Sequence, residues 1–125
     1  MPTVQEIADD TVRLNREMNF EEAGKHWADD VVSIEPMEGP MARVEGIEAV
    51  RQKGEWWKNT HEMHGVQVDG PWLNGDQFTV RYQMDVTVKE TGQRMQGDEI
   101  GLYTVKDGKI SEEKFYSAPM PGMGG

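Results

Sequence analysis

Near residue 60 the spacing of apolar residues changes from about 3.6 to about 2 and does not change back, which allows only a few arrangements of helix and sheet. The clearest stretch is Phe78, Val80, Tyr82, Met84, Val86 and Val88, alternating with Thr79, Arg81, Gln83, Asp85, Thr87 and Lys89. Strict alternation marks a strand with one covered face and one wet face. At this length it would run roughly 40 Å if straight. It is therefore expected to twist and coil, and its apolar face needs helices laid against it.

The helices come first in the chain. Thr3 and Glu6 form a capping-box pattern, each side chain able to satisfy the other's free backbone N–H. Val4, Ile7, Thr11, Leu14 and Met18 follow at helical spacing and predict about four turns. Asn19 and Glu22 repeat the capping signal, and Phe20, Ala23 and Trp27 predict a second, shorter helix ended by Asp29-Asp30. Val31–Glu35 reads as a short strand stopped by Pro36. Residues 36–46, with Pro36, Gly39, Pro40 and Gly46, read as a loop. Ile47, Val50 and Trp57 predict a third helix to about Thr60.

Strands then follow one another. Val66 and Val68 lead to Asn74-Gly75, a two-residue hairpin signal. Thr91-Gly92 and Asp107-Gly108 turn the chain into strands over about 94–105 and 109–117. The predicted order is ααβαββββ: an α+β fold, three N-terminal helices on a strongly curved, mainly antiparallel sheet. One domain covers 1–125, with an ordered core over 3–117 and a flexible Gly- and Pro-rich tail over 118–125.

Charge and composition exclude several classes of function. With 13 Lys and Arg against 23 Asp and Glu, the net charge is −10, which repels phosphate backbones and anionic lipid, so no nucleic-acid or membrane partner is expected. No apolar run reaches the roughly 20 residues that span a bilayer. The segment Met1–Glu6 has no basic or apolar leader pattern, so a cytoplasmic location is expected. With no cysteine, thiol catalysis and zinc–thiolate sites are excluded. No phosphate loop, nucleophile elbow or dinucleotide fingerprint is present, and no cofactor is expected.

Several strings, with this element order, resemble the nuclear transport factor 2-like superfamily and, within it, the SnoaL-like proteins. They are His26-Trp27-Ala28-Asp29-Asp30-Val31-Val32, Ile34-Glu35-Pro36, Gly46-Ile47-Glu48-Ala49-Val50-Arg51, Asp98-Glu99-Ile100 and Lys106-Asp107-Gly108-Lys109-Ile110. The likeness spans residues 3–117. It implies a cone-shaped domain with a deep pocket between the helices and the concave sheet face. That family holds isomerases, hydratases, cyclases, epoxide hydrolases and binding subunits, so the fold leaves the activity open.

On this resemblance, Phe78, Val80, Tyr82 and Met84 face the pocket, as do Glu99, Gly101 and Tyr103, and Ser111, Glu113, Phe115 and Ser117. Arg81 and Asp85 then lie on the convex face. Glu35 is the leading catalytic candidate, because Ile34-Glu35-Pro36 resembles the stretch where ketosteroid isomerase carries its proton-transferring aspartate. A carboxylate at an apolar pocket mouth is held nearer to working pH by desolvation. The isomerase's oxyanion-holding tyrosine and aspartate fall near Asp10 and Gly101, so those partners do not carry over. A limonene-type epoxide hydrolase needs Arg-x-Asp on the long strand and a second aspartate on the last strand, and Gln83-Met84-Asp85 and Phe115 occupy those places.

Glu99, Glu113 and His64 are the other polar candidates. His64 shares parity with Val66 and Val68 and is expected to reach the pocket as an acid or base. His61 and His64 lack the third and fourth ligands of a metal site, so no metal is expected, and His26 is placed on an exposed helical face. Trp27 and Trp57, with Phe78, Val80, Tyr82, Met84, Tyr103, Glu113 and Phe115, complete the expected ligand-binding set. Methionines in 37–41 and 84–95 are expected to line an adaptable cavity.

Two functions fit these expectations. One is proton-transfer chemistry on a small, largely apolar molecule, with Glu35 as base and His64 or protonated Glu99 as acid. The other is non-catalytic binding of such a ligand in the same pocket. A homodimer through the convex sheet face is expected in either case.

Overall fold

The computed structural model describes residues 1–117. The tail expected over 118–125 lies outside the described residues. Helix α1 spans Val4–Arg16 and carries the capping box in full, Thr3 and Glu6 each bonding the other's backbone N–H. It ends two residues before Met18. Met18 takes a left-handed conformation at φ 58°, and Met18 and Asn19 donate to the carbonyls of Asn15 and Leu14. That pair of reversed bonds closes a Schellman-type turn and removes Met18 from the apolar stripe, leaving it exposed.

Helix α2 is one turn, Phe20–Ala23, followed by a 3-10 turn over Gly24–His26. Trp27 therefore leaves the helix predicted for it and opens strand β1, Trp27–Ile34. The Ala23–Trp27 spacing misleads because the ring folds back over Gly24, where an added Cβ would come within 2.7 Å of it. Asp29 and Asp30 likewise lie in β1 rather than ending a helix. Inside the predicted loop, Arg43–Glu45 forms a short strand, β2, antiparallel to β1. Helix α3 spans Ile47–Thr60. The meander is β3 (His61–Asn74), β4 (Gln77–Val88), β5 (Gln93–Lys106) and β6 (Lys109–Ser117).

These strands form one six-stranded sheet in the order β2-β1-β6-β5-β4-β3. Only the β1–β6 pair is parallel. Three helices and a mixed, mainly antiparallel curved sheet make the expected α+β cone, with β2 added to the predicted order. Helix α1 packs across β3 and β4, and α3 across β1 and β2. Ile7, Ala8 and Val12 of α1 and Val50 of α3 meet Val31, Val68, Phe78, Val80, Tyr82 and Tyr103 of the concave face in a single core. No helix among the described residues is long and apolar enough to cross a membrane.

Two irregularities decide which side chains reach the interior. Between Met63 and Gly65 the β3–β4 register shifts, which breaks the parity that linked His64 to Val66 and Val68. On β6, Val105 pairs with Ile110 whereas Thr104 pairs with Glu112, so Ser111 is an extra residue. This bulge turns both Ile110 and Glu113 inward, and Ser111, expected to face the pocket, bonds the Thr104 carbonyl instead. On the convex face, Arg81 and Asp98 form a two-pronged ion pair, as do Arg94 and Asp85. Arg81 and Asp85 thus occupy the face assigned to them.

Candidate functional site

The concave face brings three glutamates together because the pairing places them on adjacent strands with one parity. Ser33 of β1 sits beside Glu113 of β6, Glu113 beside Tyr103 of β5, and Glu99 of β5 beside Tyr82 of β4. Glu35 follows Ser33 by two residues and shares its face. Opposite them, Lys53 projects from α3 one turn after Val50, on the same buried side. Lys53 Nζ lies 2.6 Å from Glu35 Oε1 and donates to Ser33 Oγ at 2.7 Å. Ser33 in turn donates to Glu113 Oε2 at 2.8 Å, and Trp27 Nε1–H donates to Glu113 Oε1 at 2.9 Å.

The result is a directed chain, Lys53 to Ser33 to Glu113, closed from the far side by Trp27. Ser33 has no solvent exposure and Glu113 is 7% exposed, so every link is made away from water. Burial pushes the Glu113 carboxyl above its ordinary pKa, while the Ser33 bond, the Lys53 charge and the Trp27 bond pull it down. A one-residue slip would have turned Glu99 and Glu113 to solvent; the register turns both inward.

A cavity of about 230 Å³ opens on this chain. From the sheet it is lined by Glu35, Met84, Glu99 and Ser117, and from α3 by Lys53, Trp56 and Trp57. Pro36, Met37 and Met41 line it from the loop after β1. The walls are thus methionine and tryptophan, with polar groups at a few fixed points. Burial pushes Glu99 up to about 7, with the Glu35 carboxylate adding to the rise and Lys53 opposing it. Glu35 has an ammonium in contact; Glu99 has no ion-pair partner among the described residues. Two carboxyls in one cavity therefore sit in opposed environments.

Of the expected site residues, Glu35, Glu99, Trp57 and Met84 line the cavity. Trp27 and Glu113 stand behind it in the buried chain. Phe78, Val80, Tyr82, Tyr103 and Phe115 belong to the core beneath or pack against it. Tyr82 and Tyr103 share a hydrogen bond of 2.5 Å between their hydroxyls, and burial raises the pKa of both. His64 is exposed and bonds Thr87 Oγ1 at 2.7 Å, which takes it out of the site. His26 is not on an open face either: it is 12% exposed and contacts Asp10 at 3.0 Å. Hydrogen bonds from Arg13 and then His26 hold Asp10 well below the usual carboxylate range.

The place of the isomerase's aspartate, near Gly101, is filled. A Cβ there would lie 2.9 Å from the Tyr103 ring and 3.2 Å from Phe115, so a side chain cannot enter without displacing the packed pair. The residues that sequence reasoning missed are Lys53 and Ser33. Lys53 had a signal: it stands three residues after Val50 and four before Trp57, the spacing of one helix face. Ser33 had parity with Glu35 and nothing more.

A SnoaL-like domain model matches residues 2–117, nearly all of the chain. The chain belongs to the SnoaL-like family. A solved SnoaL-like structure from Mesorhizobium loti, named a proposed polyketide cyclase with carbohydrate phosphatase as a second term, shares 52% identity. The match covers 92% of this chain and 99% of that one, with a TM-score of 0.89. A nuclear transport factor 2-like protein from Burkholderia xenovorans is 19% identical at TM-score 0.76, covering 92% of this chain and 88% of that one. A proposed isomerase from Bacillus subtilis is 20% identical at TM-score 0.73, covering 94% and 91%. These last two likenesses bear on the SnoaL-like fold alone. No curated protein matches the chain.

Proposed function

We propose that this SnoaL-like domain binds a small, largely apolar molecule in the cone cavity and moves a proton on it. Glu35 acts as the base and Glu99, in its protonated form, as the acid. The observation that carries this reading is the shared cavity of the two carboxyls: one is in contact with an ammonium, and burial pushes the other up to about 7. Opposed environments for two titratable groups are how one site holds an acid and a base together. The acid role once open to His64 falls to Glu99, because His64 is exposed at Thr87.

Size narrows the ligand. Drug-sized ligands occupy sites of about 300–1,000 Å³, and about 230 Å³ suits one or two small rings rather than a long polyketide. A phosphorylated sugar fits less well, since its anion would meet two carboxyls and an ammonium already paired. The test is deuterium incorporation from D2O next to the carbonyl of small ketones and aldehydes, followed by NMR. The native chain is expected to speed it and Glu35→Gln to lose that effect.

The binding-only reading draws on the same ion pair, because the Glu35 carboxylate is already engaged by Lys53. Its signature is ligand-dependent thermal stabilisation, unchanged in Glu35→Gln, without isotope exchange. For assembly, we propose that two copies meet through the convex sheet face, where Trp72 and Tyr116 stand 56% and 45% exposed beside the Arg81–Asp98 pair. Light scattering at micromolar concentration is expected to read a dimer mass; a monomer mass refutes this.

A further inference from the structure

Lys53 enters the proton-transfer reading only as the partner of Glu35, yet it also lines the cavity itself. We propose that Lys53 holds the oxygen of the ligand, so that the site takes small carbonyl compounds with an acidic neighbouring C–H, and their enolate or phenolate analogues. This rests on the proton-transfer reading and adds to it the group that stabilises the developing negative charge. No residue of α1 lines the cavity, and the Gly101 position carries no side chain.

The geometry is specific. An ammonium carries three N–H donors. Lys53 commits one to Glu35 Oε1 and one to Ser33 Oγ, the first just after β1 and the second on it. The side chain is 11% exposed and lines the cavity, so the third donor is available to an occupant. Ser33 is fixed by its own donation to Glu113, and the Phe115 ring lies 5.5 Å from Nζ. The ammonium is thus held in place from several sides before any ligand arrives, as an oxyanion-stabilising donor must be. It faces the carboxyls of Glu35 just after β1, Glu99 on β5 and Glu113 on β6, and among the described residues only Glu35 forms an ion pair with it.

The step balances without any further reagent. The C–H bond next to the carbonyl breaks and its proton passes to Glu35 Oε2, Oε1 being held by Lys53. The C–H electron pair forms the new C=C bond, and the carbonyl π pair moves to the oxygen beside Lys53. Returning a proton to carbon, from Glu35 at the same atom or from Glu99 at another, completes exchange or isomerisation.

p-Nitrophenol is a suitable probe, because it is small, planar and coloured only as the phenolate. Bound to the native chain, it is expected to ionise at lower pH than free in water. Lys53→Met should lower the bound phenolate fraction at fixed pH by about tenfold or more, the weight of a hydrogen bond to a charged group, while Lys53→Arg retains it. Nitrobenzene, the uncharged analogue, should bind native chain and Lys53→Met alike, showing that the cavity survives. If Lys53→Met does not fold, the double variant with Glu35→Gln removes both ion partners, and the same loss is expected there. The proposal is overturned if p-nitrophenol does not bind, if it ionises at higher pH when bound, or if Lys53→Met leaves its ionisation unchanged. Phenolate preference without isotope exchange would keep Lys53 and remove the proton-transfer reading; exchange without phenolate preference would do the reverse.

Discussion

Glu35→Gln is expected to slow deuterium incorporation by about 10²–10⁴-fold, the usual contribution of a positioned general base. The carboxamide keeps the shape and the oxygen that accepts from Lys53, and loses only the ability to take a proton. Stability responds too, because Glu35 is the ion-pair partner of a nearly buried ammonium. With its charge gone, the Lys53 ammonium remains at 11% exposure with Ser33 as acceptor, and a cost of about 1–2 kcal/mol follows from weakening one charge-assisted bond. Urea denaturation and NMR exchange on the same preparation separate the two effects. Native-like exchange in this variant would remove Glu35 from the chemistry.

Glu113→Leu is expected to be the most destabilising single change, by about 3 kcal/mol, from two orphaned buried donors at about 1–3 kcal/mol each. Trp27 Nε1–H and the Ser33 hydroxyl both donate to this carboxylate, and leucine accepts from neither. Freeing the fold of a buried carboxyl offsets part of the cost, since burial works against the ionised form of Glu113. Glu113→Gln tests the direction of the bonds: its NH2 must face one of two donors, so a loss of about 1–2 kcal/mol is expected even though size is preserved. Urea midpoints near the native value for both variants would contradict the directed chain.

Much of the fold was legible because several local signals agree. Capping residues, a change of period near residue 60 and three glycine turns each act through nearest neighbours, so they can be read from a string. What was not legible depends on register. Trp27 keeps helical spacing with Ala23, yet its ring needs the bare backbone of Gly24 beneath it, and that contact is set by tertiary packing. His64 shares the parity of Val66, but the register shift before Gly65 reverses its side. The Ser111 bulge makes the opposite point, since it brings both Ile110 and Glu113 inward although their parity differs.

The candidate site divides in the same way. Glu35 and Glu99 were readable as polar residues on inward-facing positions. Lys53 was hidden among the other charged and polar residues of α3, although its spacing from Val50 and Trp57 placed it on the buried face. A lysine there looks like an error of pattern until its two acceptors, Ser33 and Glu35, are known. Ser33 is small and common in strands, and its importance lies wholly in what it connects.

The claim on which the rest depends is that Glu99 keeps its proton near neutrality inside the cavity. A carboxyl whose folded pKa is raised from 4.5 to about 7 lets the folded state hold a proton the unfolded chain has lost. Its contribution to stability therefore falls as pH rises from about 4.5 to about 7. Asp85 and Asp98, lowered by Arg94 and Arg81, act oppositely and only at more acid pH. The direct measurement is a carbon-13 NMR titration of the glutamate side-chain carboxyls, with Glu99→Gln identifying the resonance. A midpoint near 7 for Glu99 is the predicted result; a midpoint near the ordinary glutamate value would mean that water reaches this carboxyl freely, and would contradict its role as the acid.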